Sequence, residues 1–241
     1  PTEGFEVSRR LEKLGMHAAK RKLSKIMFII IALGTLLPMM HQSSLGTMLV
    51  VLGPQVHPLW QTPLQPALYL LTAIGMGYAV VLFESCVAAA AYRRGIEVHL
   101  LNPLAQVMLG VVGFYLVVRL GDLVWRGALG GAFGVTLEAV MFWIEMVCFV
   151  APFFLIGSAA QRRNPARLFV AGILLMLGGS LLRINGFLIG YGTVIGAGIS
   201  GVNFSYFPSL AELLVTVGMF AIEVLGYIVI TRRFPVLPRE A

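Results

Sequence analysis

Six continuous apolar runs dominate the chain, at approximately Leu23–Met40, Leu64–Ala91, Pro103–Leu120, Leu137–Ala160, Leu168–Gly190 and Ser209–Thr231. Each passes the roughly 17 residues at which a helix begins to span a hydrocarbon core of about 30 Å. Isolated strands would leave backbone N–H and C=O groups unsatisfied in lipid, and a barrel would show alternating segments of about 10 residues in place of these runs. The pattern predicts an all-α, polytopic transmembrane helix bundle of about six helices. Residues 1–22 read as an amphipathic cytoplasmic connector, 23–231 as the bundle and 232–241 as a cytoplasmic tail. The chain starts at Pro1, its first 25 residues are polar, and no small-residue cleavage site follows the first apolar run, so that stretch reads as a link from a preceding helix and not as a cleavable signal.

Composition strengthens the membrane reading. Hydrophobic residues make up 58% of the 241, charged residues 12%, and mean hydropathy is +0.87, whereas soluble domains carry about 25% charged residues. The net charge of +7 sorts by side. Fifteen of the 18 basic residues flank the first run, follow the second, lie between the fourth and fifth, or follow the sixth. Those places share one face if the helices alternate, and the positive-inside rule makes that face cytoplasmic, with both termini inside. The opposite loops, about 41–63, 121–136 and 191–208, hold the single base Arg126. The charge is therefore topological, and no nucleic-acid partner is implied.

Between Ile26 and Phe83 there is no formal charge, yet residues 39–63 read MMHQSSLGTMLVVLGPQVHPLWQTP. The middle of that stretch is too apolar for a solvated loop, so 41–63 is expected to be a re-entrant or surface segment lining a cavity, where irregular backbone is tolerated at membrane depth. His41, Gln42, Ser43 and Ser44 would then line the cavity edge; the alternative for His41 is a plain interfacial residue.

Ionisable groups within the runs each need a partner, a cavity or a neutral form, because a charge near the bilayer centre costs at least ~2.5–3.5 kcal/mol. Glu145 and Arg183 fall at similar depth and are expected to pair, as a structural bridge or as part of a proton route. Arg119 and Asp122, three apart, share a face near the outer surface, as an interfacial pair or a functional one. Glu138 and Glu212 sit at helix starts, which the helix dipole explains. Glu84 and Glu223 have no nearby base in sequence, and their depth points to a cavity or proton route.

Cys86 and Cys148 stand alone, with no CxxC spacing for zinc, iron–sulfur or redox work. A b-type haem held by two histidines needs a facing pair inside the helices, whereas His17 and His99 belong to one side and His41 and His57 to the other. The sequence thus predicts a chain with no haem and no metal of its own.

The segments LSKIMFIIIALGTLLPMMHQSSLGTM, VHPLWQTP, AVVLFES, RLGDLVWR, MFWIE, YFPSLAELL and AIEVLGYIVITRRFPVLP resemble, in order, the NrfD/PsrC family of membrane subunits. The likeness is nearest to the HybB-type subunit of membrane-bound nickel–iron hydrogenase, with DsrP-type subunits as near neighbours, and it places this chain at the C-terminal part of the family length. Two features depart from the family: its additional N-terminal helices have no match here, and TVIGAGISGVN stands where a Gly/Pro-rich turn precedes YFP.

The resemblance implies a haem-free subunit of a bacterial or archaeal inner membrane that exchanges electrons with menaquinone or ubiquinone. A ferredoxin-like iron–sulfur subunit on the periplasmic side and a separate catalytic subunit, a hydrogenase or other reductase, would carry the remaining chemistry, and proton translocation accompanies some members. It puts His41 and Glu84 on the quinone or proton route. Gln42, Ser43, Ser44, Arg119 and Asp122 join His41 as candidate quinone ligands, and Glu145, Arg183 and Glu223 join Glu84 as candidate proton-path or ion-pair groups. Quinone chemistry moves two electrons and two protons, which suits a mainly apolar pocket with a donor at each carbonyl. A histidine suits that task in either protonation state. A secondary transporter would show inverted repeats, which are not evident between the first and second three helices, and a purely structural anchor leaves Glu84, Glu223 and the HQSS cluster without a role.

The topology is checked by cysteine labelling in cells: Arg94→Cys and Arg163→Cys are expected to react from the cytoplasm and Gly130→Cys from outside, and cytoplasm-only labelling at Gly130 would overturn the assignment.

Overall fold

Apolar side chains recur on every side of these helices, so lipid contact and helix contact together decide their arrangement. The computed structural model describes residues 17–91, 95, 98–191 and 209–233, with side chains from 26 to 230 of these. It contains α1 (His17–Leu52), α2 (Gln65–Ala91), α3 (Val98–Trp125), α4 (Leu137–Ile156), α5 (Pro165–Ile184) and α6 (Leu210–Arg233). A π-helical turn, Asn185–Gly190, prolongs α5. No strand occurs among the described residues, and six helices are long and apolar enough to cross a membrane. The chain is an all-α polytopic bundle.

The helix starts follow local chemistry. Thr136 Oγ1 accepts from the Ala139 N–H at 3.3 Å to cap α4, and Asn164 Oδ1 accepts from the Ala166 N–H at 3.0 Å, with Pro165 opening α5. The first helix corrects an expectation. It was expected to end at Met40 after Pro38, but it runs on to Leu52 with Pro38 inside it. A proline removes one helical hydrogen bond and crowds the carbonyl one turn back, and apolar surroundings favour keeping the rest of the ladder intact. Thr47 Oγ1 donates back to the Ser43 carbonyl at 3.0 Å, so its hydroxyl is also satisfied within the helix. His41–Ser44 are therefore helical, and only 53–64 departs from regular helix, turning at Gly53 (φ 50°).

The described residues divide into two compact units, those within 36–205 and those within 1–35 and 206–241. In the first, α2 packs on α3 and α5, and α5 packs on α4. The core is built from Leu68, Leu82, Met108, Val112, Phe142, Phe149, Leu175 and their neighbours. Small residues set the crossings, as packing without a hydrophobic drive between helices requires. A Cβ at Gly178 would lie 3.1 Å from the Cys148 Cβ. In the second unit, α6 exposes Leu214, Val215, Phe220, Ile222 and Leu225 around its circumference, a surface stable against lipid and not against water.

Gly46 of α1 meets the start of α2 backbone to backbone: a Cβ there would fall 2.6 Å from Pro66 Cα and 2.7 Å from the Gln65 carbonyl oxygen. Neither atom can rotate away. Gly46→Ala is expected to lower stability by about 1–3 kcal/mol through overpacking, seen as a lower thermal midpoint in detergent. Gly110→Ala, where a Cβ meets nothing within 4 Å, is expected to be neutral or stabilising by up to ~1 kcal/mol.

Candidate functional site

The segment Gly53–Leu64 carries little regular structure of its own and is held by specific bonds. The His57 N–H donates to the Gly190 carbonyl at 2.9 Å, and the Trp60 and Gln61 N–H groups donate to the His57 carbonyl at 2.9 and 3.0 Å. His57 Nδ1 accepts from the Leu59 N–H at 3.3 Å, and Arg126 Nη1 donates to the Pro58 carbonyl at 3.0 Å. These bonds turn Leu59 and Trp60 inward, where both are fully buried.

Trp60 is the centre of the site. Its Nε1–H donates to Glu145 Oε2 at 3.0 Å, and Asn185 Nδ2 donates to the same oxygen at 2.8 Å while reaching the Met141 carbonyl at 3.2 Å. Glu145 is fully buried, about 12 Å along α4 from Leu137 at 1.5 Å per residue. The π-helical turn brings Asn185 to this carboxylate, and Gly190 leaves room for the indole, since a Cβ there would approach Trp60 Cε3 to 3.0 Å.

Beside it, Arg183 donates from Nε and Nη2 to Gln42 Oε1 at 2.9 and 2.6 Å and from Nη1 to the Gly179 carbonyl at 2.6 Å. Its guanidinium also lies 5.2 Å from the centre of the Tyr69 ring. The expected Glu145–Arg183 ion pair is thus not formed: two neutral N–H donors occupy Glu145 Oε2, and an amide oxygen, a backbone carbonyl and a ring occupy Arg183. The cation within coulombic reach of Glu145 is Arg119. The expected Arg119–Asp122 pair is also replaced. Arg119 is fully buried with its guanidinium 6.0 Å from the Phe142 ring centre, whereas Asp122 Oδ2 is bound by Arg126 Nε at 2.9 Å and Nη2 at 2.8 Å. Residue 126 lies one turn beyond 122 and reaches straight back, while residue 119 points into the core.

The remaining predicted residues divide between faces. Gln42 turns toward α5, whereas His41 and Ser44 share an exposed face of α1 and Ser43 is half-buried. Glu84 is exposed on α2, and Glu223 is exposed on α6 in the other unit. The structure therefore brings Gln42, Arg183, Arg119 and Glu145 into one interior and leaves His41, Ser44 and Glu84 on open faces. An apolar recess of about 580 Å³ beside Trp143, lined also by Phe133, Val140, Val147 and Cys148, contains none of them. Sequence reasoning missed Asn185, Gln65 and Tyr115; the signal available was an amide or phenol inside an otherwise apolar run.

No family model matches the chain. It is 36% identical over 230 residues to the "Probable Ni/Fe-hydrogenase 2 b-type cytochrome subunit" of Escherichia coli K12, covering 94% of this chain and 57% of that protein. It is 26% identical over 249 residues to the "Menaquinone reductase, integral membrane subunit" of Nitratidesulfovibrio vulgaris Hildenborough, covering 94% of this chain and 58% of that protein. The chain thus spans somewhat over half the length of these curated relatives. With its six apolar helices, it is a multi-pass protein of a bacterial inner membrane.

The first of those names corrects the expectation that this chain lacks haem, because a b-type cytochrome subunit is by designation a haem-bearing one. The described residues do not fit a bis-histidine haem by themselves: His41 and His99 are exposed on α1 and α3, and His57 has its Nδ1 engaged with Leu59.

Burial pushes the His57 imidazole below its ordinary pKa, with Glu138 acting in the opposite direction. The unfolded chain then binds more protons than the folded one as pH falls below about 6.5, so folding stability is expected to drop there. Protonation would also remove Nδ1 as an acceptor for Leu59. Thermal midpoints measured from pH 7.5 down to 5.5 are expected to fall for the parent and to flatten in His57→Asn, whose amide oxygen retains the acceptor. Equal slopes in the two proteins would refute the assignment.

Proposed function

We propose that this chain is a quinone- or quinol-interacting membrane subunit of the NrfD/PsrC type, part of a respiratory oxidoreductase complex. It exchanges electrons between membrane menaquinone or ubiquinone and an iron–sulfur subunit at the periplasmic face, while a separate catalytic subunit handles the final substrate. The observation that carries this reading is the shared extent of two relatives, one named a hydrogenase membrane subunit and one a menaquinone reductase membrane subunit, each aligned over 94% of this chain. Proton translocation is part of the proposal at the level of residues: Glu84 sits about 10 Å along α2 from its Ala91 end, and a carboxylate exposed at such depth asks for a covering group or a proton.

The interior supports the same reading by its polarity. Trp60, Glu145, Asn185, Gln42 and Arg183 gather at the end of the bundle that carries the 53–64 segment, which the distribution of basic residues assigns to the periplasmic side. That segment tucks Leu59 and Trp60 into the bundle, in keeping with an inward-dipping connection. His41, one residue from Gln42, faces outward beside it and is the proposed donor to a quinone carbonyl. A purely structural anchor explains the buried ties but leaves the exposed His41 and Glu84 unused.

In the assembled complex, His41→Ala and Glu84→Gln are expected to leave assembly and activity with a soluble artificial dye intact and to cut quinone-linked turnover by about 10²–10⁴, the range for loss of a proton-transfer group. Gln42→Ala is expected to act through folding, because it strips Arg183 of a charge-assisted acceptor worth about 1.5–3 kcal/mol. Normal quinone-linked turnover in both His41→Ala and Glu84→Gln would favour the anchor.

A further inference from the structure

Among the described residues, and apart from Arg126 Nη2, which is ion-paired with Asp122, nine buried polar atoms on six side chains lack a hydrogen-bond partner: Gln65 Nε2 and Oε1, the Tyr69 and Tyr115 hydroxyls, all three nitrogens of Arg119, Glu145 Oε1 and Asn185 Oδ1. They come from four elements, α2, α3, α4 and the π-helical turn, yet they converge. Tyr115 is in electrostatic contact with Glu145, Arg119 and Tyr69. Tyr69 lies beside Gln65, and Tyr115 beside the Glu145 carboxylate, both outside hydrogen-bonding geometry. Gly186 brings the turn against the Tyr69 hydroxyl, where a Cβ would stand 3.0 Å away.

Each unsatisfied buried group costs about 1–3 kcal/mol, and a charged one more. Nine of them would together rival the whole stability of an ordinary domain, about 5–15 kcal/mol. A partner must therefore occupy the space between these side chains, and its chemistry can be read from theirs. Arg119 and Gln65 Nε2 donate, Glu145 Oε1, Asn185 Oδ1 and Gln65 Oε1 accept, and the two phenols do either. The set holds one cation and one anion. A bound anion would face the Glu145 carboxylate, and a bound cation would face the Arg119 guanidinium. A neutral molecule that both donates and accepts meets neither penalty.

We infer that Gln65, Tyr69, Tyr115, Arg119, Glu145 and Asn185 enclose a cluster of ordered water inside the membrane-spanning bundle, closed on one side by the Trp60 indole. Water bridges of this kind satisfy buried groups that no protein partner reaches, as for the three Arg119 nitrogens and Asn185 Oδ1. The cluster lets the Arg119 and Glu145 side chains remain solvated at full burial. Trp60 occupies Glu145 Oε2 and closes the cluster on the side of the 53–64 segment. This inference is independent of the quinone reading and stands or falls on the interior alone.

X-ray radiolytic footprinting of the full chain in lipid nanodiscs tests it, because hydroxyl radicals formed from bound water oxidise the side chains next to that water. Tyr69, Tyr115 and Met108 are all 0% exposed, and Trp125 is 91% exposed. Oxidation is expected at Tyr69 and Tyr115 and not at the intrinsically more reactive Met108, which lies in the apolar core. After brief mixing into H₂¹⁸O, Trp125 is expected to take up ¹⁸O while Tyr115 still takes up ¹⁶O, the mark of occluded water. Tyr69→Phe and Tyr115→Phe are each expected to lower the thermal midpoint, since each removes a satisfied hydroxyl. Absence of oxidation at both tyrosines at doses that modify Trp125 would overturn the inference. So would a raised midpoint in both variants, because deleting a dry, unpartnered hydroxyl relieves a penalty.

Discussion

A bilayer offers no water to a stranded polar group, and that constraint governs the bundle from its backbone to its most buried side chains. The tie that best expresses it is Glu145 Oε2, held at once by Trp60 Nε1 and Asn185 Nδ2. One oxygen joins the non-helical 53–64 segment, α4 and the turn that ends α5. Without it, the indole N–H would be buried unpaired, the Asn185 amide would keep only the Met141 carbonyl, and the segment that carries Trp60 would lose its anchor in the core. The same requirement explains the π-helical turn. By widening the helix at Asn185–Gly190 it turns an amide onto the carboxylate and leaves Gly190 open to the indole.

Side chains along α1 are sorted by the same rule. Gln42, Gly46 and Leu49 recur at helical spacing on the face that meets α2 and α5, so the amide of Gln42 receives the Arg183 guanidinium and Gly46 admits the Pro66 backbone. His41 and Ser44 occupy the opposite face. A run that looks in sequence like one polar cluster is therefore two half-sites. The inward half binds the bundle together, and the outward half is exposed.

The six helices were legible because a spanning helix announces itself by length and apolarity, and all six runs correspond to helices. The end of α1 was not legible. Pro38 signals a break in water, but in apolar surroundings the helix continues past it to Leu52. The cost of burying charge is legible in the sequence but the partners are not, since similar depth does not imply contact. Depth fixes only one coordinate, and rotation about each helix axis decides the rest. Arg119 and Asp122 differ in rotation enough for one to enter the core and the other to meet Arg126. The neutral members Asn185, Gln65 and Tyr115 escaped notice because a hunt for charge does not find them.

The separation of inward ties from outward groups also orders the functional reading. Residues that hold the interior together cannot exchange partners cheaply: Arg183 and Glu145 each engage several fixed atoms, and moving either would strand those atoms in a low dielectric. Groups that must bind, release or pass a proton to a mobile molecule belong where their partners can change. His41 on α1 and Glu84 on α2 meet that condition, being exposed on the surface of the unit that the buried ties make rigid. On the proposed reading, Glu145, Asn185, Trp60 and Arg183 fix the scaffold and His41 and Glu84 do the exchange, so an interior substitution should be read through stability before it is read through chemistry.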